Sequence, residues 1–125
     1  MAKRASRGRF KSLKVSDGFR EFVLDQLSGV KDLRAKSMFG GVGLYTGDVF
    51  FGIIAADVLY FKVGDANRAD YTRVKSKPFA PYPGKPSMNY FTVPISVVED
   101  QESLTRWAAR SIDVARASRG SRRKA

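Results

Sequence analysis

The chain contains no cysteine and no histidine. Disulfides and thiolate metal sites are therefore excluded, as are the commonest general base and the best nucleophile of enzyme active sites. Long hydrophobic runs are missing too. The most apolar stretch, Val49 to Ala56, is far shorter than the roughly 20 residues a bilayer requires. The first apolar residues are isolated among charges, so no export signal is expected and the cytoplasm is the expected compartment. Acidic residues are scarce, with 12 Asp and Glu against 23 Lys and Arg. They do not cluster as metal ligands. Asp57, Asp65 and Asp70 fall in turns or on a polar helix without D-x-D spacing. Glu99, Asp100 and Glu102 gather at a helix start, where acids complement the helix dipole. No catalytic residue, cofactor or metal site is assigned, and the expectation is a protein that is not an enzyme.

What the chain does have is unevenly placed charge. Its 125 residues carry a net charge of +11, and they fit one domain with one core. Residues 1–16 contain Lys3, Arg4, Arg7, Arg9, Lys11 and Lys14 and no acid, while residues 116–125 contain Arg116, Arg119, Arg122, Arg123 and Lys124. Between them, 12 basic and 12 acidic residues cancel. Both ends are rich in Ala, Ser, Gly and Arg, with little to bury, so 1–16 and 118–125 are expected to be disordered basic tails around a domain spanning 17–117. Such arms attract polyanions by releasing counterions from phosphates. Lys3, Arg4, Arg7, Arg9, Lys11, Arg119, Arg122, Arg123 and Lys124 are the candidate DNA or RNA contacts. Phe10 is their lone aromatic, so the tails offer little base stacking and no sequence readout.

The domain reads clearly in order. Ser16 or Asp17 can cap a helix to about Leu27, with Phe19, Phe22, Val23 and Leu27 along one face. Residues 33–38 form a short strand entering a glycine corner at Gly40, Gly41 and Gly43. These glycines lead into a strand rather than a helix and lack a G-K-[ST] ending, so they mark a sharp backbone corner and not a phosphate loop. Thr46-Gly47-Asp48 and then Asp57 separate three strands of a meander that ends at Val63. Gly52 inside the second of these suggests a bulge or a close backbone approach. Asn67 to Val74 reads as a short helix, and Met88 to Val93 as a fifth strand bounded by Pro94. Asp100 can cap a final helix from about Gln101 to Ala117. Its stripe of Leu104, Trp107, Ala108, Ser111, Ile112 and Ala115 should pack across the sheet, with Trp107 as anchor. The expected fold is α+β, a two-layer sandwich with an antiparallel sheet of about five strands and helices on one face.

Met38-Phe39-Gly40-Gly41-Val42-Gly43-Leu44-Tyr45 resembles the signature of the TfoX/Sxy N-terminal domain family. Gly52, Leu59-Tyr60-Phe61-Lys62, Pro78-Phe79 with Tyr82, Tyr90 to Pro94, and Leu104 with Trp107 agree with that pattern in order, over about residues 17–117. The resemblance implies the same antiparallel sheet with helices on one side. The best-known members regulate natural competence by promoting transcription of DNA-uptake genes, and they carry a second, C-terminal domain. This chain is expected to be a stand-alone N-terminal domain.

Three function classes follow. The first is a non-enzymatic regulatory or adaptor domain acting through protein contacts, with Phe79 and Tyr82 of the proline-rich loop as the expected partner surface. The second is a sequence-nonspecific nucleic-acid binder working through its basic arms. The third, an enzyme or small-molecule binder, would draw on Tyr45, Tyr60, Lys62 and Tyr90 converging on one sheet face. Homodimerisation through an exposed strand edge is a further reading.

Overall fold

The computed structural model describes residues 13–81, 84 and 86–124, except for the side chains of 120–124. Helix α1, Asp17–Gln26, starts where Ser16 accepts a hydrogen bond from the Phe19 N–H at 3.2 Å, the side-chain cap expected of a serine. The Ser16 N–H in turn donates to Asp57 Oδ1 at 2.8 Å, tying the helix start to a sheet turn. Val23 and the C-cap residue Leu27 are fully buried, while Phe22 is 40% exposed, so the inward side of α1 runs through Phe19, Val23 and Leu24 to Leu27.

Among the described residues six strands follow, all paired antiparallel: β1 (Leu33–Met38), β2 (Gly41–Thr46), β3 (Val49–Ala55), β4 (Val58–Lys62), β5 (Pro78–Phe79) and β6 (Ser87–Thr92). Their order in the sheet is β1-β2-β3-β4-β6-β5. The meander is thus four strands long, and the sheet has one strand more than the sequence suggests. That extra strand, β5, is two residues and pairs on the outer edge of β6. Two of the hairpins turn on residue pairs with left-handed backbones. Phe39 (φ 49°) and Gly40 (φ 87°) join β1 to β2, and Ala56 (φ 51°) and Asp57 (φ 59°) join β3 to β4. Gly41 is required by proximity: a Cβ there would lie 2.7 Å from the Ile54 carbonyl oxygen. The bulge anticipated near Gly52 is present. Leu44 pairs with Gly52 and Tyr45 with Phe50, leaving Phe51 as the extra residue.

Helices α2 (Arg68–Arg73), α3 (Ile95–Val98) and α4 (Gln101–Lys124) complete the fold. Helix α4 continues past Ala117 and through Gly120, seven residues beyond the end suggested by its apolar stripe. Its Leu104, Ala108, Ser111, Ile112 and Ala115 are buried against the sheet. Trp107 sits at the margin of that stripe, its ring edge-on to Tyr71 of α2 at 4.8 Å. The sheet's contribution to the core comes from Val42, Leu44, Phe51, Ile54, Leu59 and Phe61, all at most 3% exposed.

One polar cluster is buried in this layer. Asn67 Oδ1 accepts from the Gly64 N–H at 2.9 Å, and its amide nitrogen donates to the Lys62 carbonyl at 3.1 Å. The Ser111 hydroxyl donates to the same carbonyl at 2.8 Å, so β4, α2 and α4 are joined at one point. The Tyr71 hydroxyl is buried near Ser111, and burial raises its pKa above the ordinary phenol value.

Candidate functional site

Pairing register decides which side chains leave the sheet on the face opposite the core. Arg34 lies across from Tyr45, Tyr45 from Phe50, Lys36 from Gly43, Met38 from Gly41, Ile53 from Tyr60, and Lys62 from Tyr90. None of these belongs to the core, and the described helices pack against the other side. The helix-free face therefore carries two adjoining features.

The first is a transverse row of rings. Tyr45 and Phe50 are 5.1 Å apart between centroids, and Phe50 and Tyr90 5.6 Å. Cations close both ends of the row: Lys36 Nζ lies 5.3 Å from the centre of the Tyr45 ring, and Lys62 Nζ 5.2 Å from that of Tyr90. Burial, with a smaller contribution from the neighbouring Tyr45, pushes the Tyr90 pKa up to about 12. Burial also raises that of Tyr60.

The second is an apolar groove of about 480 Å³ toward the β1–β2 turn, lined chiefly by Leu13, Met38, Phe39, Ile53, Phe79 and Pro81, with Phe50 shared between groove and row. That volume lies in the range of ligand-sized pockets. Phe79 packs at a tilt against Tyr60, with ring centroids 4.8 Å apart, and forms one wall. Phe39 forms the lip at 83% exposure, with its backbone in the left-handed region. A bulky side chain at such a φ is uncommon and costs energy, and here burial returns almost nothing.

The residues singled out in the sequence fall into three groups. Met38, Phe39, Gly40, Gly41, Gly43 and Tyr45 build the β1–β2 hairpin that frames row and groove, with Tyr60 and Phe79 beside them. Gly52 and Trp107 belong to the core layer instead. Of the basic arms, Lys3, Arg4, Arg7, Arg9 and Lys11 lie outside the described residues, as do Tyr82 and the side chains of Arg122, Arg123 and Lys124. Arg119 sits on α4 with its guanidinium 3.1 Å from Asp48 Oδ1.

The expected convergence of Tyr45, Tyr60, Lys62 and Tyr90 on one face is present. Phe50, Ile53 and Lys36 were not foreseen as part of it. Val49 to Ala56 reads as a strand buried on both sides, and the bulge at Phe51 puts Phe50 and Ile53 on one face at a spacing of three rather than two. No group of three or more Asp and Glu gathers as a metal site among the described residues. No described helix is long and apolar enough to cross a membrane.

A comparison with known families matches the TfoX N-terminal domain over residues 25–115 of the chain. No curated protein matches it.

Proposed function

We propose, from the premise that the chain belongs to the TfoX N-terminal domain family, that it is a non-enzymatic regulatory adaptor domain. It works in the cytoplasm and influences transcription by holding an apolar segment of a protein partner in the groove of its helix-free face. The observation that carries this reading is Phe39. A phenylalanine kept 83% exposed on a turn residue with a left-handed backbone buries little in the fold, and it stands where an incoming apolar side chain would meet it. The same face argues against catalysis. A tyrosinate base needs a lowered pKa, whereas Tyr60 and Tyr90 hold their protons more tightly than a free phenol.

The test is site-specific crosslinking in cells with benzoylphenylalanine at position 39, at position 79, or at the exposed helix position 106. A discrete protein adduct at 39 and 79, lost when Ile53→Lys fills the groove with charge, is expected. Adducts no stronger than at 106 would defeat the reading.

A further inference from the structure

The aromatic row is a different surface from the groove, and its chemistry is different. Three rings lie side by side across rigid strands, partly exposed, with ammonium groups at both ends of the line. The strand positions that face this side carry no Asp or Glu among the described residues. Arg34 adds a third cation beside Tyr45, partly offset by Asp32 at 3.7 Å. Rings framed by cations on a sheet suit a ligand that is flat and apolar in one part and anionic in the next, repeated along its length.

We propose that Tyr45, Phe50 and Tyr90, with Lys36, Lys62 and Arg34, form a binding site for single-stranded nucleic acid. Bases stack on the rings, and the lysines follow the phosphates. In the free protein the ammonium groups lie over the Tyr45 and Tyr90 rings. A nucleotide takes their place at the ring faces and draws them onto its phosphates, since an exposed cation–ring contact is weaker than base stacking. A duplex hides its base faces and cannot use the row. A second copy of the chain would bring the same cations against one another. A purely acidic peptide would leave the rings unused. The site also supplies the stacking that the basic arms lack, while the chain's net charge of +11 favours the encounter.

The experiment uses the full chain with fluorescein-labelled 15-mers of deoxythymidine and of uridine and a 15-base-pair duplex, measuring anisotropy across a salt series. Either single strand should bind at least tenfold more tightly than the duplex at the higher salt concentrations, and the better of the two names the nucleic acid. Replacing both Tyr45 and Tyr90 by Leu, which keeps apolar cover over the sheet, should weaken single-strand binding about tenfold or more. The pair Lys36→Gln and Lys62→Gln should flatten the dependence of log K on log salt by about 0.7 per lysine. A 5-iodouridine strand irradiated on the protein should crosslink to Tyr45 or Tyr90. The site is refuted if both sets of variants bind as the wild type does, which would leave the arms as the whole of the binding. It is equally refuted by preference for the duplex, or by polyglutamate competing as well as the oligonucleotides. If the leucine variants do not fold, an unchanged salt slope in the lysine pair is sufficient to overturn it.

Discussion

The two faces of the sheet carry comparable numbers of large side chains, but they treat them in opposite ways. On one face, Leu44, Phe51, Ile54, Leu59 and Phe61 are shut beneath α4, none more than 2% exposed. On the other, Phe50, Ile53, Tyr60, Tyr90 and Phe79 are only partly covered, and Phe39 hardly at all. Burial of apolar area stabilises by about 25 cal/mol per Å², so a side chain left partly in water gives the fold less than it could. The first face explains why the chain folds. Because the second adds less to stability for a similar aromatic content, it is where binding is expected.

Truncation is the sharpest way to test that contrast. Phe61→Ala empties a fully buried position packed on Phe51 at 5.7 Å, and a loss of about 4 kcal/mol is expected in chemical denaturation. The corresponding change on the open face, Ile53→Ala, should cost about 2 kcal/mol, since a partly exposed and smaller side chain forfeits less transfer energy and leaves no closed cavity. Equal losses would mean that the open face is as structural as the other.

Asn67 extends the same logic to polar groups. It is 2% exposed and serves both the Gly64 N–H and the Lys62 carbonyl. Asn67→Ala would leave those groups with fewer partners in a dry layer, and about 2 kcal/mol of stability should be lost. Thermal melting of this variant, with and without Ser111→Ala, would show a coupled rather than additive loss if the three-way junction holds as described.

How much of this could be read from the residues depended on how many residues repeat a signal. Helices α1 and α4 were legible because Phe19, Val23 and Leu27, and Leu104 through Ala115, repeat at helical spacing over two turns or more. The meander was legible because Gly47 and Asp57 punctuate it. Strand β5 has two residues and α3 four, too few to establish any period, and both are held by neighbours rather than by local preference. The last turns of α4 read as a tail in sequence because Gly120 and the arginines resemble one in composition. The candidate site was half legible. The tyrosines and Lys62 could be placed on one face by alternation, but Phe50 and Ile53 needed the bulge, whose exact position Gly52 only hints at. The groove joins Leu13, the first hairpin and Phe79, an encounter set by tertiary packing that no local pattern encodes.

Alkaline titration tests how firmly the open face encloses one of its rings. Tyr90 has a pKa raised from 10.0 in the unfolded chain to about 12 in the folded one, by burial first and Tyr45 second. A raised pKa means that the folded state holds the proton more tightly. The resulting stabilisation is fully present below about pH 10, and it is lost progressively as the pH climbs toward about 12. Tyr90→Phe removes that contribution, so its melting temperature should fall less than that of the wild type between pH 10 and 12. Parallel melting curves over that window would show that Tyr90 is better solvated than its surroundings suggest.

Phe39 is expected to give the smallest change in stability, and its sign is the informative part. A left-handed backbone costs a bulky L-residue about 1 kcal/mol, whereas asparagine tolerates it. Phe39 is 83% exposed, so its removal forfeits little burial. Phe39→Asn should therefore raise stability by up to about 1 kcal/mol, while abolishing the crosslinked adduct formed from position 79. A core residue cannot behave this way, because its loss lowers stability and binding together. If Phe39→Asn is instead destabilising by more than about 1 kcal/mol, the side chain is packed in solution, and the lip of the groove belongs to the fold rather than to a partner.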